Sequence, residues 1–270
     1  MRTNTFNRVA CMGYELIHVT ILLIHINHIL MLIPFIFIFK ILAGKAYPLQ
    51  NLNCVMKQKI KVLQNKYLEG FGGIAFAYGN TKIPRSTLIV NLTSAEHCPS
   101  RALGLCRVEN VCYALKCERI YPNYKHKNLV MERWLTNART TEIISLMEAY
   151  IDNAPEPITL IRLDEGGDFR DQNQVRQWNK IARYFIMTRG IKTYTYTCRS
   201  DLDFRDAPYI VVNGSLPEIR GAAREYKCVP GVEFDNMTIG KGEYKCPGNC
   251  NGCSLCSSGR FNGIIYSRQH

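Results

Sequence analysis

The chain has 270 residues, 47% hydrophobic and 21% charged, with 34 Lys and Arg against 22 Asp and Glu for a formal net charge of +12. This composition excludes a disordered or low-complexity chain and is enough for one sizeable core. The excess of positive charge would favour nucleic acid, an anionic membrane or acidic substrates if it were clustered, but no strong cluster stands out along the sequence.

The first 55 residues differ in kind from the rest. "VTILLIHINHILMLIPFIFIF", from Val19 to Phe39, contains no Lys, Arg, Asp or Glu and is long enough to cross a bilayer as a helix. Five lysines from Lys40 to Lys61 follow it and only Arg2 and Arg8 precede it, so an inserted helix would leave the C-terminal part in the cytoplasm, tethered to the membrane. The competing reading is an untranslated upstream extension, because Met56 opens "MKQKIKVLQNKYLEG", a sound start for a cytoplasmic protein. The expected organisation is therefore an apolar segment over 1–55, an α/β core over 56–227 and a Cys-rich metal-binding tail over 228–270.

Downstream, "STLIVNLT" (Ser86 to Thr93), "ITLIRL" (Ile158 to Leu163), "IKTYTYT" (Ile191 to Thr197) and "YIVVNGS" (Tyr209 to Ser215) are β-branched or aromatic runs bounded by turn residues, and they predict strands. Helical spacing of apolar residues predicts one helix over 128–151 and another over 172–189. Alternating strand and helix predicts a parallel sheet, expected as a partial TIM-barrel-like core with a small Cys-rich C-terminal cap. In such folds sites collect beyond the C-terminal ends of strands. The chemistry-bearing residues do follow the strands: "SAEHCPSRALGLCRVENVCYALKCER", then "DEGGDF", then "CRSDLDFRD".

The 12 cysteines include two dense groups. In the tail, Cys250, Cys253 and Cys256 form a C-x2-C-x2-C run with Cys246 just ahead. Structural zinc more often uses two separated knuckles, whereas consecutive x2 spacings match ferredoxin-type ligation. An iron–sulfur cluster, expected as [4Fe–4S], is thus favoured over zinc and over disulfides. The upstream group fits no regular pattern. Cys112 and Cys117 fall on different faces of one helix, which leaves Cys98, Cys106 and Cys112 as the expected ligands and Cys117 as a buried thiol.

Taken together and in order, "LTSAEHCPS", "LCRVENVCYALKCER", "IRLDEGGDF", "QWNKIARYF" and "YTYTCRS" resemble the phage and mobile-element gene product 88 family over roughly Met56 to Cys256. A more distant resemblance, to radical S-adenosylmethionine enzymes, lies in the order of parts: a three-cysteine loop after the first strand and a Gly-Gly-acid turn after the second. The C-x3-C-x2-C spacing of those enzymes is not present here. That resemblance implies a cluster at Cys98, Cys106 and Cys112 and S-adenosylmethionine at Gly166, Gly167 and Asp168; a tight turn with Asp168 capping the next helix is the plainer reading of "DEGGDF".

His97 and the pair Asp201 and Asp203 are weaker candidates, read as exposed or capping residues as readily as ligands. The function expected from all this is an iron–sulfur protein, of radical type, acting on an unknown substrate. The alternatives are a zinc-stapled nucleic-acid-binding protein, with Tyr121, Tyr124, Lys125 and Lys127 as contacts, and an exported disulfide-rich protein.

Overall fold

The short apolar runs become parallel strands of one sheet. The structure, a computed structural model, describes residues 76–269; the apolar segment Val19–Phe39 and Met56 lie outside them. In chain order the elements are β1 (Ala77–Tyr78), β2 (Thr87–Val90), α1 (Pro99–Ala102), α2 (Tyr113–Ile120), α3 (Pro122–Asn137), α4 (Thr140–Asp152), β3 (Leu160–Leu163), α5 (Gln172–Arg189), β4 (Lys192–Thr197), β5 (Ile210–Gly214), β6 (Arg224–Val229), α6 (Gly231–Asn236), β7 (Glu243–Lys245) and β8 (Ile264–Arg268). The sheet order is β1-β2-β3-β4-β5-β6-β8-β7. Only β1 runs antiparallel to its neighbour; every other pair is parallel. The sheet is open, with β1 and β7 as its edges.

All four strands expected from the sequence are present, and the predicted second helix is α5. The period-2 alternation of a strand sends neighbouring side chains to opposite faces. On one face Leu88, Val90, Ile161, Leu163, Ile210 and Val212 pack with Trp134, Ile143, Met147, Val175, Trp178 and Phe185 from α3, α4 and α5. The other face carries the alternate residues, among them Arg162, Tyr194, Tyr196 and Tyr226, and lines a cavity.

Local signals set the length of α5. The Asp171 carboxylate accepts from the Gln174 N–H at 2.8 Å and satisfies an orphan donor of the first turn. Gly190, at φ 68, ends the helix in a left-handed conformation that a residue with a Cβ adopts only at a cost. Asp171 is thus the cap, not Asp168.

Two expectations are corrected. The single helix over 128–151 is two, α3 and α4, because Ala138 and Arg139 are extended and the Glu142 carboxylate accepts from the Arg139 N–H at 2.8 Å to start a new helix. The tail is not set apart from the core. Its strands β7 and β8 extend the same sheet, β8 pairing with β6 from Glu225↔Ile264 to Val229↔Arg268, and the described residues belong to one compact unit. Among the described residues no helix is long and apolar enough to cross a membrane.

Phe185 is fully buried between α5 and the sheet. Phe185→Ala is expected to lower the free energy of unfolding by about 3–5 kcal/mol, since truncating a core aromatic loses both transfer energy and packing. Urea denaturation measures it, and a loss below about 1 kcal/mol would show that the site is not core.

Candidate functional site

Because β2 to β8 run parallel, their C-terminal ends share one edge of the sheet. The loops that leave there, together with the aromatic sheet face, enclose a cavity of about 1370 Å³, above the roughly 300–1,000 Å³ of most small-molecule sites. Ten cysteines are described, all free thiols, and nine of them line this one cavity; Cys117 is the exception. The two groups that sequence reading kept apart therefore open onto a shared space.

The loop after β2 is held from below by buried acids. Glu118 of α2 accepts from the N–H groups of Ala95 and Glu96 at 2.9 and 3.0 Å and from the Asn128 amide at 2.9 Å. Asp168 ties the loop to the sheet. Its Oδ2 accepts from the Ser100 hydroxyl at 2.5 Å and the Cys198 N–H at 2.9 Å, while its Oδ1 accepts from the Thr197 hydroxyl at 2.7 Å and the Phe169 N–H at 2.8 Å. One carboxylate thus joins the ends of β2, β3 and β4.

Around it stand three thiols. Burial and the Asp168 charge push Cys98 up to about 12. Cys106 is in hydrogen-bond contact with Cys198, which lowers Cys106 to about 7 and raises Cys198. Cys112 also lines the cavity, from the N-cap of α2.

In the tail, Cys246, Cys250, Cys253 and Cys256 all line the cavity, and the charges of Cys246 and Cys250 act on Cys256. Burial raises Cys256 to about 11. Arg224, 4% exposed, pins this loop. Its guanidinium donates to the carbonyls of Leu255, Ser258 and Phe261 and to Asn213 Oδ1. All four acceptors are neutral, and burial lowers its pKa. Arg162, in the middle of β3, lies 5.0 Å from the Tyr196 ring and acts on Cys250, while its Nε has no hydrogen-bond partner. Neither arginine makes an ion pair with a carboxylate among the described residues. Sequence reading missed both, although a charge inside "ITLIRL" and another opening "REYKCV" were the available signal.

The other candidates fall into place around the cavity. Gly166 and Gly167 line it, and each explains its lack of a side chain by packing. A Cβ on Gly167 would stand 2.4 Å from the Thr93 carbonyl oxygen, and one on Gly166 would stand 2.9 Å from the Ala114 Cβ. Asn91 Oδ1 accepts from the N–H groups of Glu165 and Gly166, and Thr93 Oγ1 from that of Asp168. His97 faces solvent and pairs with Glu132 at 3.1 Å. Asp201 pairs with Arg199, and Asp203 caps the short 3-10 turn Phe204–Asp206. Of the residues considered for nucleic acid, Tyr121 is exposed, Lys125 is paired to Glu96 at 2.8 Å, and Tyr124 and Lys127 are half-buried. Among the described residues no three His, Cys, Asp or Glu side chains close round a single metal ion.

Asp164 offers a test of the site's electrostatics. Burial, reinforced by Asp168, pushes its carboxyl well above the usual range; Oδ1 accepts from the Leu92 N–H at 3.0 Å and Oδ2 has no partner. An acid whose folded pKa is raised contributes stability at low pH that is lost as pH climbs from its unfolded value of about 3.9 through its folded one. Asn suits the φ of 55 at this position. Asp164→Asn is therefore expected to gain on the wild type as pH rises, by up to about 1.4 kcal/mol per pH unit within that window. Urea unfolding from pH 5 to pH 8 measures the gap, and parallel curves would refute the assignment.

A family model described as Gene product 88 matches residues 55–239. The match spans the β2 loop, the Asp164–Asp168 turn and Cys198, and it stops before the tail cysteines. No curated protein and no solved structure matches the chain. With more than two thirds of its length inside that match, the chain belongs to the Gene product 88 family.

Proposed function

We propose that this chain is an iron–sulfur protein in which Cys246, Cys250, Cys253 and Cys256 hold one cluster, of [4Fe–4S] type, at the cavity, and the loop after β2 holds a second. The observation that carries this reading is a pair of guanidiniums near the tail thiols that form no salt bridge among the described residues, Arg224 beside Cys256 and Arg162 beside Cys250, with Glu165 acting on Arg162 only through its charge. A buried cation without a directly paired counter-charge costs several kcal/mol. Metal-bound thiolates are deprotonated outright and supply the missing negative charge where four neutral thiols would not. The consecutive x2 spacing of Cys250, Cys253 and Cys256 favours a cluster over zinc, whose structural sites more often use two separated knuckles.

Radical use of S-adenosylmethionine is the finer form of the same proposal, on a parallel sheet with helices on one face and a cavity on the other, as in a partial barrel. It is supported by the order of parts and by a cavity with room for more than a cluster. When bound beside a reduced cluster, this cofactor supplies a carbon-centred radical. The cofactor's amino group is a donor and would have to meet carbonyl oxygens of that turn, whose Glu165, Gly166 and Asp168 amides are already engaged. Asp168, with both oxygens engaged, acts by positioning the loops rather than by binding the cofactor.

Prepared without oxygen, the protein is expected to be brown, with iron and acid-labile sulfide in about equal amounts, roughly four of each per cluster. Cys250→Ser with Cys253→Ser is expected to remove only part of both. Colourless protein with about one zinc per chain would overturn the reading in favour of a zinc-stapled binding protein. Titration calorimetry with S-adenosylmethionine on the iron-replete protein is expected to show binding, and no heat there would remove the radical form alone. Gly167→Val is a poor probe of that turn, because the new side chain collides with Thr93.

A further inference from the structure

We propose that the upstream metal site is built from Cys98, Cys106 and Cys198, with Cys198 at the end of β4 in the place that the sequence assigns to Cys112. The inference rests on the iron–sulfur reading above and names the ligands of its second cluster. Cys106 and Cys198 are far apart in the chain yet meet thiol to thiol.

The scaffold beneath them fixes that meeting. One oxygen of Asp168 accepts from both the Ser100 hydroxyl and the Cys198 N–H, which locks the cysteine loop onto β4. The carbonyl of Ser100 in turn accepts from the N–H groups of Leu105 and Cys106 at 2.8 and 3.2 Å. The segment from Cys98 to Cys106 is thereby folded back over Ser100, with Cys98 at the N-cap of α1. Cys98, Cys106 and Cys198 all line the cavity beside this junction.

Cys112 is held differently. It stands at the N-cap position of α2, outside the segment folded back over Ser100. Three thiolates from two loops would form a soft ligand set suited to iron–sulfur chemistry, and three would be enough to hold a cluster.

The test uses the full chain, prepared anaerobically and loaded with iron and sulfide. Cys98→Ser, Cys106→Ser and Cys198→Ser are each expected to lose about half of the wild-type iron and sulfide, one cluster of two, and Cys112→Ser to keep all of it. Full retention by Cys198→Ser together with loss by Cys112→Ser would overturn the assignment while leaving the iron–sulfur reading intact. Wild type holding neither iron nor sulfide would sink both. Because a serine variant can fail to fold, alkylation of the wild type by iodoacetamide, mapped by mass spectrometry, gives a second readout. In the loaded protein Cys112 is expected to react and Cys198 to be protected until a chelator strips the iron, and the reverse pattern would refute the proposal.

Discussion

The carboxylate of Asp168 is the constraint on which the site depends. Four donors from three parts of the chain converge on it: the Ser100 and Thr197 hydroxyls and the N–H groups of Phe169 and Cys198. Burial raises its pKa while each of these bonds opposes the rise. Hydrogen bonds to a charged acceptor are the stronger kind, and leaving any of these buried donors without an acceptor would itself cost free energy. The result is a junction that sets the cysteine loop, the Asp164–Asp168 turn and the end of β4 in fixed register, so the placing of the thiols follows from the sheet rather than from the loop's own sequence.

A second consequence of the sheet is chemical asymmetry. In "KTYTYT" Tyr194 and Tyr196 turn to the cavity, and in β3 the alternation puts Arg162 between Ile161 and Leu163 but on the opposite face. The apolar face is closed by α3, α4 and α5. The other face is polar and aromatic, and it presents Arg162 to the cavity alongside Tyr194, Tyr196 and Tyr226. In the tail Arg224 gathers carbonyl oxygens of the cysteine loop and makes no salt bridge among the described residues.

Much of this was legible in the chain. Period-2 runs marked four strands because each has one face on an apolar core. The Asp171 and Gly190 signals sit at the ends of α5 because caps are local chemistry. The break between α3 and α4 was harder to see, since the apolar spacing continues across Ala138 and only the backbone of two residues interrupts it. The tail misled in a different way. Its Gly- and Cys-rich composition suggests a separate cap, yet the short strands β7 and β8 take their stability from pairing in the sheet, a long-range property that composition does not carry.

The cysteine groups divide along the same line. Sequence alone determined that four thiols of the tail lie within eleven residues and therefore share one place, that a second group follows β2, and that the fold is α/β with its chemistry at the C-terminal ends of parallel strands. Only the tertiary structure decided that both groups face a single cavity, that Cys198 lies against Cys106, that Asp168 positions loops instead of capping a helix, and that two arginines stand near the thiols without a salt bridge among the described residues. Spacing along a chain fixes contacts only within a turn or two; contacts between loops depend on strand register, and register is set by the packing of the whole sheet.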